Sequence, residues 1–309
     1  MKFSFCALIL AAQIAHAGLE KYPSLLVADA KPNAPAPVDS VRVTYLGVNG
    51  FQFEADGHVL LVDPYFTRIG FWQSALNQRI KSNPLRISEG LKLIRPRVDA
   101  VLVTHAHFDH LLDVPEVMER THARLMAGPT AVQLVESFDI SPQKCESVNA
   151  GSTRKIGPWR IRVLAARHDR LFGNVPFSGK ATSTQKPLKA SDWVAGEPLA
   201  FMIQAAGKRI YIDSGGVPGA PPDVRIGKVD LAILGVALPD SRQRFAEVVR
   251  QLRPDFILPS HQDDMFAPLD REFVFGKSTN FPALVRESRT RDLPGRLILL
   301  DYFRPWTLP

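Results

Sequence analysis

Three histidines and an aspartate lie within six residues of one another in the stretch VTHAHFDH, residues 103–110. They are His105, His107, Asp109 and His110, in a chain of 309 residues that has eight histidines. Neutral imidazole binds zinc and similar divalent ions, and a carboxylate adds negative charge and a hard oxygen ligand. One metal ion can hardly use four groups from so short a loop, whereas two neighbouring ions can. A polar turn without metal is the alternative, but histidines rarely cluster without a site.

Four more aspartate and histidine residues follow segments that have a strand pattern. They are Asp63 in LLVDPYF, His168 in LAARHDR, Asp213 in YIDSGG and His261 in LPSHQDD. Three of them also have an ordinary structural explanation. His168 could form an ion pair with a neighbour, Asp213 could begin an Asp-Ser-Gly turn, and His261 could cap the next segment. The interpretation as ligands therefore depends on the histidine-rich stretch upstream.

The elements that must position these residues follow one order twice along the chain. In the first half, β-rich runs at 41–48, 50–56 and 58–66 form a predicted antiparallel meander, and the apolar run 98–105 is typical of a buried central strand. Helical patterns follow at 111–121, where Asp113 is the expected cap, and at 129–138. The second half repeats β-rich runs, a hairpin at Ala206-Gly207, a buried strand, a helix at 241–252 and a last strand at 255–261. This order predicts an α/β fold with two mixed β-sheets packed face to face and helices outside.

The N-terminus has the features of a signal peptide. Lys2 precedes the apolar run FSFCALILAA, and a small-x-small site ends at Ala17. We therefore predict a signal peptide at 1–17, a Pro/Ala-rich lead-in without a packing pattern at 18–40 and one globular domain at 41–309. Cleavage after Ala17 would remove Cys6, leave Cys145 without a disulfide partner and deliver the protein to the periplasm or the exterior.

The charge of the chain is +7 and is concentrated in a few segments. The run RIKSNPLRISEGLKLIRPR, residues 79–97, contains six basic residues and one Glu. The simplest interpretation is a solvent-exposed charged surface without a specific partner. The alternative is a positive surface that attracts anionic substrates or makes peripheral contact with an anionic membrane. The sequence has no helix-turn-helix, zinc finger or aromatic RNA-binding signature, so no nucleic acid partner is expected.

The stretch HAHFDH has the His-x-His-x-Asp-His pattern of the metallo-β-lactamase superfamily, and the repeated β-rich/βα order resembles that family's four-layer αβ/βα sandwich. The resemblance implies two metal sites. The first would use His105, His107 and His168, and the second would use Asp109, His110 and His261. Asp213 would bridge the two ions, Asp63 would orient the site, and Asp109 would also act as a catalytic proton acceptor.

The resemblance also implies cofactors and a reaction. Two zinc ions are expected, with manganese or iron as alternatives, and a water of lowered pKa held between them would hydrolyse the substrate. Residues 45–68 resemble the branch that contains ascorbate-6-phosphate lactonase and an N-acyl-phosphatidylethanolamine-hydrolysing phospholipase D. A phosphodiester or phospholipid-like small molecule is therefore expected ahead of a lactone or ester. Asp213 argues against a β-lactamase, because those enzymes have cysteine or serine there. A nonenzymatic binding scaffold would be expected to have lost ligands.

The long segment at 171–197 has no periodicity and is either functional, for example as a lid, or disordered. Together with the region after Asp63 it supplies aromatic residues that could line an apolar mouth, although about half of them should belong to the core. These aromatic candidates are Phe66, Phe71, Trp72, Phe172, Phe177 and Trp193.

Overall fold

The computed structural model describes residues 18–182, 185–219 and 226–309. The predicted signal peptide, residues 1–17, lies outside this part of the chain. The described residues form two seven-stranded β-sheets, as the repeated order of elements predicts. Both sheets are mixed, so the predicted α/β fold is confirmed.

The first sheet has the order β14-β1-β2-β3-β4-β5-β6. Its strands are β1 (Val41–Gly47), β2 (Gly50–Ala55), β3 (His58–Val62), β4 (Val98–Leu102), β5 (Arg124–Ala127), β6 (Cys145–Ser147) and β14 (Trp306–Leu308). The first three strands form the predicted antiparallel meander, and β3 to β6 are parallel. The C-terminal strand β14 pairs with β1 across almost the whole sequence, which local patterns cannot predict.

The second sheet has the order β13-β12-β11-β10-β9-β8-β7. Its strands are β7 (Thr153–Ile156), β8 (Trp159–Ala165), β9 (Leu199–Ala205), β10 (Lys208–Asp213), β11 (Leu231–Gly235), β12 (Phe256–Ser260) and β13 (Arg296–Leu297). Strands β7 to β10 are antiparallel and β10 to β13 are parallel. Ala206 and Gly207, with φ of 47° and 71°, form the predicted two-residue turn between β9 and β10.

The described helices lie between the strands, and five of the seven have proline in their first two positions. They are α1 (Phe71–Ala75), α2 (Pro84–Lys92), α3 (Phe108–Leu111), α4 (Val114–Thr121), α5 (Pro129–Glu136), α6 (Pro239–Leu252) and α7 (Phe281–Thr290), with 3₁₀ turns at Leu19–Lys21, Pro142–Lys144 and Ala190–Asp192. None of these helices has the length and apolarity needed to cross a bilayer.

The predicted helix at 111–121 corresponds to α4, and Asp113 is its N-cap residue as predicted, but the Asp113 side chain makes no capping hydrogen bond. The buried carboxylate of Asp113 instead accepts hydrogen bonds from the backbone N–H groups of Phe66 and Thr67, at 2.6 and 2.7 Å. Asp113 therefore fixes the segment that follows Asp63, a long-range role that its local sequence does not reveal.

Alternate residues of the first sheet pack into different cores. Leu60, Val62 and Ala100 belong to the core that they share with the second sheet. Their neighbours Leu61 and Val101 pack with residues of α2, α4 and α5 on the other face. The period of two along each strand thus separates the sheet–sheet layer from the sheet–helix layer.

The lead-in at 18–40 is partly packed, contrary to the prediction. Leu19 is buried in the core between the sheets, and Leu26 forms a bridge with Leu299. Asp29 forms an ion pair with Arg42 of β1 at 2.8 Å. Its Pro/Ala-rich composition concealed these contacts, because they involve single residues rather than a periodic face.

Candidate metal centre

Six of the predicted ligands gather where strands of both sheets end. Within the first sheet, β3 and β4 are parallel, so their carboxyl ends meet at one edge. Within the second sheet, β8 and β12 run in the same direction, so the residues that follow them also share an edge. The backbone N–H of Leu199 donates to the Thr104 carbonyl at 2.7 Å and ties the two edges together.

The ligand atoms form two groups of three, each with its atoms within 4.8 Å of one another. The first group is His105, His107 and His168, and the second is Asp109, His110 and His261. The groups adjoin, because the ring centroids of His105 and His110 are 4.0 Å apart. The arrangement therefore offers two neighbouring metal sites of three protein donors each.

In the first group, hydrogen bonds select which nitrogen is available to a metal. His107 Nε2 lies 2.9 Å from the Pro176 carbonyl, and His168 Nδ1 lies 2.7 Å from the Asp169 carbonyl. Because a carbonyl only accepts, these nitrogens must carry the protons. His107 Nδ1 and His168 Nε2 then present lone pairs, and His107 Nδ1 is 3.0 Å from His105 Nε2.

In the second group, the carboxylate lies between two imidazoles. Asp109 Oδ2 is 3.0 Å from His261 Nε2 and 3.4 Å from His110 Nε2. His110 Nδ1 is 2.8 Å from Asp63 Oδ2, which leaves His110 Nε2 facing the other two donors. Two imidazoles and one carboxylate suit a divalent cation.

Asp63 lies behind both groups and connects them. Its Oδ2 receives the Thr104 hydroxyl at 2.5 Å as well as His110 Nδ1, and the Thr104 hydroxyl oxygen is also 3.2 Å from His105 Nδ1. Asn49 Nδ2 and the backbone N–H of Thr104 donate to the same carboxylate, each at 2.8 Å. Asp63 is thus placed to orient His110 directly and His105 through Thr104, as outer carboxylates do in metal sites.

Burial and neighbouring charges set the protonation of the two groups. Burial lowers the pKa of His105 well below its usual value and lowers that of His107 to about 3, so both are neutral and able to bind a metal. Burial also acts to lower the pKa of His110, but Asp109 and Asp63 outweigh it and raise the value to about 10. A metal cation at the second group must therefore displace a proton from His110.

Asp213 is the predicted ligand that the structure does not bring to the others. Its fully buried carboxylate accepts four hydrogen bonds. Oδ2 receives Arg244 Nη2 at 2.6 Å and the Tyr211 hydroxyl at 2.8 Å, and Oδ1 receives the backbone N–H groups of Gly215 at 3.1 Å and Gly235 at 3.3 Å. With both oxygens occupied in this way, Asp213 does not occupy a bridging position, and this part of the prediction is corrected.

The alternation of side chains along β10 explains why Asp213 does not reach the histidines. Tyr211 and Asp213 are two residues apart and share the side on which Arg244 lies, so the next residue faces the other way. That residue, Ser214, has its hydroxyl oxygen 3.3 Å from His105 Nδ1. A serine hydroxyl, rather than the carboxylate, therefore adjoins the histidines from β10.

A buried ion pair beside His261 was not predicted. His261 has a φ of 55°, and its backbone N–H donates to the Val48 carbonyl at 2.5 Å. The carboxylate of Asp263 also binds the backbone of Val48. It accepts the Val48 N–H at 2.9 Å, Arg68 Nη2 at 2.8 Å and the Tyr302 hydroxyl at 2.7 Å. Val48 and Arg68 lie 215 and 195 residues from Asp263 in the sequence, and Tyr302 lies 39 residues from it. No local signal therefore reveals these contacts.

The segment at 171–197 contacts the first group in its described part. Besides the Pro176 carbonyl on His107, the ring of Phe177 lies 6.2 Å from that of His107, edge to face. The Ala195 carbonyl accepts the backbone N–H of Ala106 at 3.1 Å. This segment therefore forms a wall of the centre.

The aromatic candidates divide between the core, the centre and the surface. Phe66 and Trp193 are fully buried, and Phe177 stands beside the histidines. Phe71 and Trp72, by contrast, are exposed on α1. Phe172, which completes the set, is also exposed.

Comparison with known proteins agrees with this architecture. The profile of the β-lactamase superfamily domain matches residues 42–261. A UPF0173 metal-dependent hydrolase from a Ruegeria species is 26% identical over 56% of this chain and 62% of its own length. Another from Cupriavidus necator is 30% identical over 66% of this chain and 67% of its own. The solved structure of a metallo hydrolase from Ignicoccus hospitalis has a TM-score of 0.57 and 19% identity, covering 87% of this chain and 99% of that one.

Proposed function

The chain belongs to the metallo-β-lactamase superfamily and is a metal-dependent hydrolase, and we propose that it works with two metal ions on a phosphodiester or phospholipid-like substrate. The observation that carries the two-metal proposal is the pair of adjoining three-donor groups. His107 Nδ1 and His168 Nε2 present lone pairs in the first group, and a carboxylate lies between two imidazoles in the second, so the donor chemistry fits divalent cations once His110 has lost its proton.

The proposed cofactor is zinc, with manganese or iron as alternatives. The first ion would be held by His105, His107 and His168, and the second by Asp109, His110 and His261. Bound cations of this kind supply Lewis acidity and lower the pKa of water towards neutrality. Imidazole-rich donor sets suit zinc, and the single carboxylate is compatible with the alternatives.

The side chains of this protein then have separate tasks in the proposed reaction. Asp63 and Thr104 fix the rings of His110 and His105 by the hydrogen bonds described above. Asp109 supplies the one carboxylate among the six donors, so it is the group that can accept a proton from the attacking water. Pro176 and Phe177 limit access of solvent to His107.

The proposed substrate class rests on the distribution of surface charge and apolar surface and on the resemblance to one family branch. The basic run at 79–97 favours an anionic substrate, and Phe71 and Trp72 offer exposed apolar surface near its start. The resemblance of residues 45–68 to lactonase and phospholipase D relatives supports the same choice. We further propose that residues 1–17 direct export to the periplasm or the exterior.

A lactone or ester is the second candidate, and a β-lactam must also be tested. The expectation against β-lactams depended on Asp213 at the metals, and the structure places the Ser214 hydroxyl beside His105 instead. The position of Asp213 therefore no longer separates these substrates. Only turnover can rank them.

The test is a panel of bis-p-nitrophenyl phosphate, acyl lactones and nitrocefin, assayed with wild type, His107→Ala and His58→Ala. His58 pairs with Asp99 at the start of β3, the opposite end from the centre, and is the matched control. We expect the phosphodiester to be hydrolysed fastest, a loss of at least about 100-fold in His107→Ala and no loss in His58→Ala. Faster lactone or nitrocefin turnover would replace the substrate proposal, and full activity in His107→Ala would overturn the site.

A further inference from the structure

Half of the exposed large hydrophobic side chains in the described part of the chain lie in one run of 23 residues, 71–93. The members of this run are Phe71 (52% exposed), Trp72 (70%), Leu76 (62%), Leu85 (76%) and Leu93 (59%). Single exposed apolar residues are ordinary on protein surfaces, but contiguous ones mark interaction sites. This concentration therefore calls for a function.

The apolar residues of α1 are held in place rather than frayed. The ring of Phe71 packs edge to face on Trp72 at 5.2 Å and on Phe266 at 5.3 Å. After α1, the backbone N–H of Ile80 donates to the Leu188 carbonyl at 2.8 Å, which places the exposed Leu188 beside the same surface. The Phe266 contact also joins this surface to the loop that follows His261.

Helix α2, which follows α1 along the chain, adds a second exposed apolar face. Ile87 and Gly90 are buried, and Gly90 packs so closely on the Phe66 ring that a Cβ there would lie 2.3 Å from it. Leu85, Lys92 and Leu93 are exposed and are spaced i, i+7 and i+8, so they share the outward face. The exposed leucines of this face have cations next to them.

The positive charges around this surface are mostly available to a partner. Arg79, Lys81, Lys92 and Arg97 are exposed, and no ion pair engages their side chains within the described residues. The other two basic residues of the 79–97 run are held by the protein. Arg95 pairs with Glu54 at 3.1 Å, and Arg86 donates to the Thr67 carbonyl at 2.6 Å.

We infer that residues 71–97, here called the 71–97 face, dock the protein on the surface of an anionic lipid bilayer. The interface of an anionic bilayer can bind the exposed apolar side chains and the exposed cations together. Trp and Phe partition to the headgroup region, leucines enter the acyl boundary, and Lys and Arg contact anionic headgroups. Nucleic acid would use the cations but not the leucines, and a purely apolar protein partner would leave the cations unused. The inference concerns binding alone, so it stands or falls independently of which bond the enzyme cleaves.

The four tryptophans of the chain make a direct test possible. Trp72 is 70% exposed, whereas Trp159 and Trp193 are fully buried and Trp306 is 8% exposed. Only Trp72 can therefore meet a quencher in lipid. Full-length protein is mixed with vesicles of phosphatidylcholine alone or of equal phosphatidylcholine and phosphatidylglycerol, and bound protein is measured by sedimentation. We expect binding to the anionic vesicles, and quenching of the fluorescence by brominated lipid that Trp72→Phe abolishes.

Charge-reversal variants distinguish binding through the 71–97 face from nonspecific electrostatic attraction between the whole protein and the vesicles. At about fivefold per cation, Lys81→Glu/Lys92→Glu should weaken binding to anionic vesicles by at least about 25-fold. The control Lys155→Glu/Arg289→Glu changes the net charge equally, at exposed positions of β7 and α7, and should bind almost as wild type. Equal weakening by both pairs, or binding without quenching of Trp72, would overturn the assignment. Failure to bind the anionic vesicles would also overturn the assignment. In that case, a dimer in solution that Trp72→Ser dissociates would show that a second copy of the protein occupies the 71–97 face.

Discussion

Replacing Asp213 by asparagine removes one negative charge from a buried ion pair and removes no atom from either ligand group. The side chain of Asp213 is 0% exposed and that of its partner Arg244 is 5% exposed. We expect Asp213→Asn to keep both metal ions and to lose stability. A bridging carboxylate would behave in the opposite way, with loss of metal as the first effect.

The size of the stability loss follows from the contacts. An asparagine oxygen can still accept the backbone N–H groups of Gly215 and Gly235, so those two bonds survive. Its NH₂ group would instead face two donors, Arg244 and the Tyr211 hydroxyl. Removing one partner of a buried ion pair costs roughly 3–5 kcal/mol, because the other charge stays buried and unpaired. We therefore expect a loss of about 4 kcal/mol, or a melting temperature lower by roughly 6 °C.

The assay combines urea unfolding, thermal unfolding and metal analysis of the same preparations. The double variant Asp213→Asn/Arg244→Met removes the unpaired cation, so it should be less destabilised than the sum of the single variants. A variant Asp213→Asn that melts like wild type but holds one metal ion fewer would refute the reasoning. The carboxylate would then be a ligand after all.

Three further variants probe the surroundings of the centre. Asp63→Asn should weaken metal affinity roughly 10–100-fold, measured by competition with a chelator, because both groups lose their orienting acceptor; unchanged affinity would contradict this role. Burial raises the pKa of Asp113 to about 6, above that of an unfolded aspartate, so its stabilising contribution is present at acid pH and lost as pH rises through 6. Asp113→Asn should remove roughly 2–3 kcal/mol of that pH dependence in urea unfolding of metal-free protein between pH 4 and 7, and an unaltered profile would count against it. Asp263→Asn should leave Arg68 unpaired, cost roughly 3–5 kcal/mol and lower affinity at the second group more than at the first; equal affinities at both would refute the link to His261.

Much of the architecture could be read from strand patterns because those patterns are local. The run at 98–103 is apolar except for Asp99 because β4 lies in the sheet interior, and the predicted hairpin needed only Ala206-Gly207 and its flanking alternation. The His-x-His-x-Asp-His stretch fixed four donors at one strand end. His168 and His261 could be added because each follows a strand, where ligands from a second sheet can reach the same edge.

The features that could not be predicted depend on partners far along the chain. Whether Asp213 or Ser214 faces the histidines depends on which side of β10 holds Arg244, a residue 31 positions later. Strand alternation makes a difference of one residue decisive, and the sequence Asp-Ser-Gly-Gly does not specify the side. In the same way, the local pattern places Asp113 at the start of a helix, but its acceptor role for Thr67, 46 residues away, has no local pattern.

The number of metal ions held by the purified protein tests the central claim most directly. Mass spectrometric metal analysis after loading with zinc should find close to two ions per wild-type chain. His107→Ala and His261→Ala each remove a donor from a different group and should each hold about one. A wild-type chain that holds one ion or none, or two variants that both retain two ions, would contradict the account.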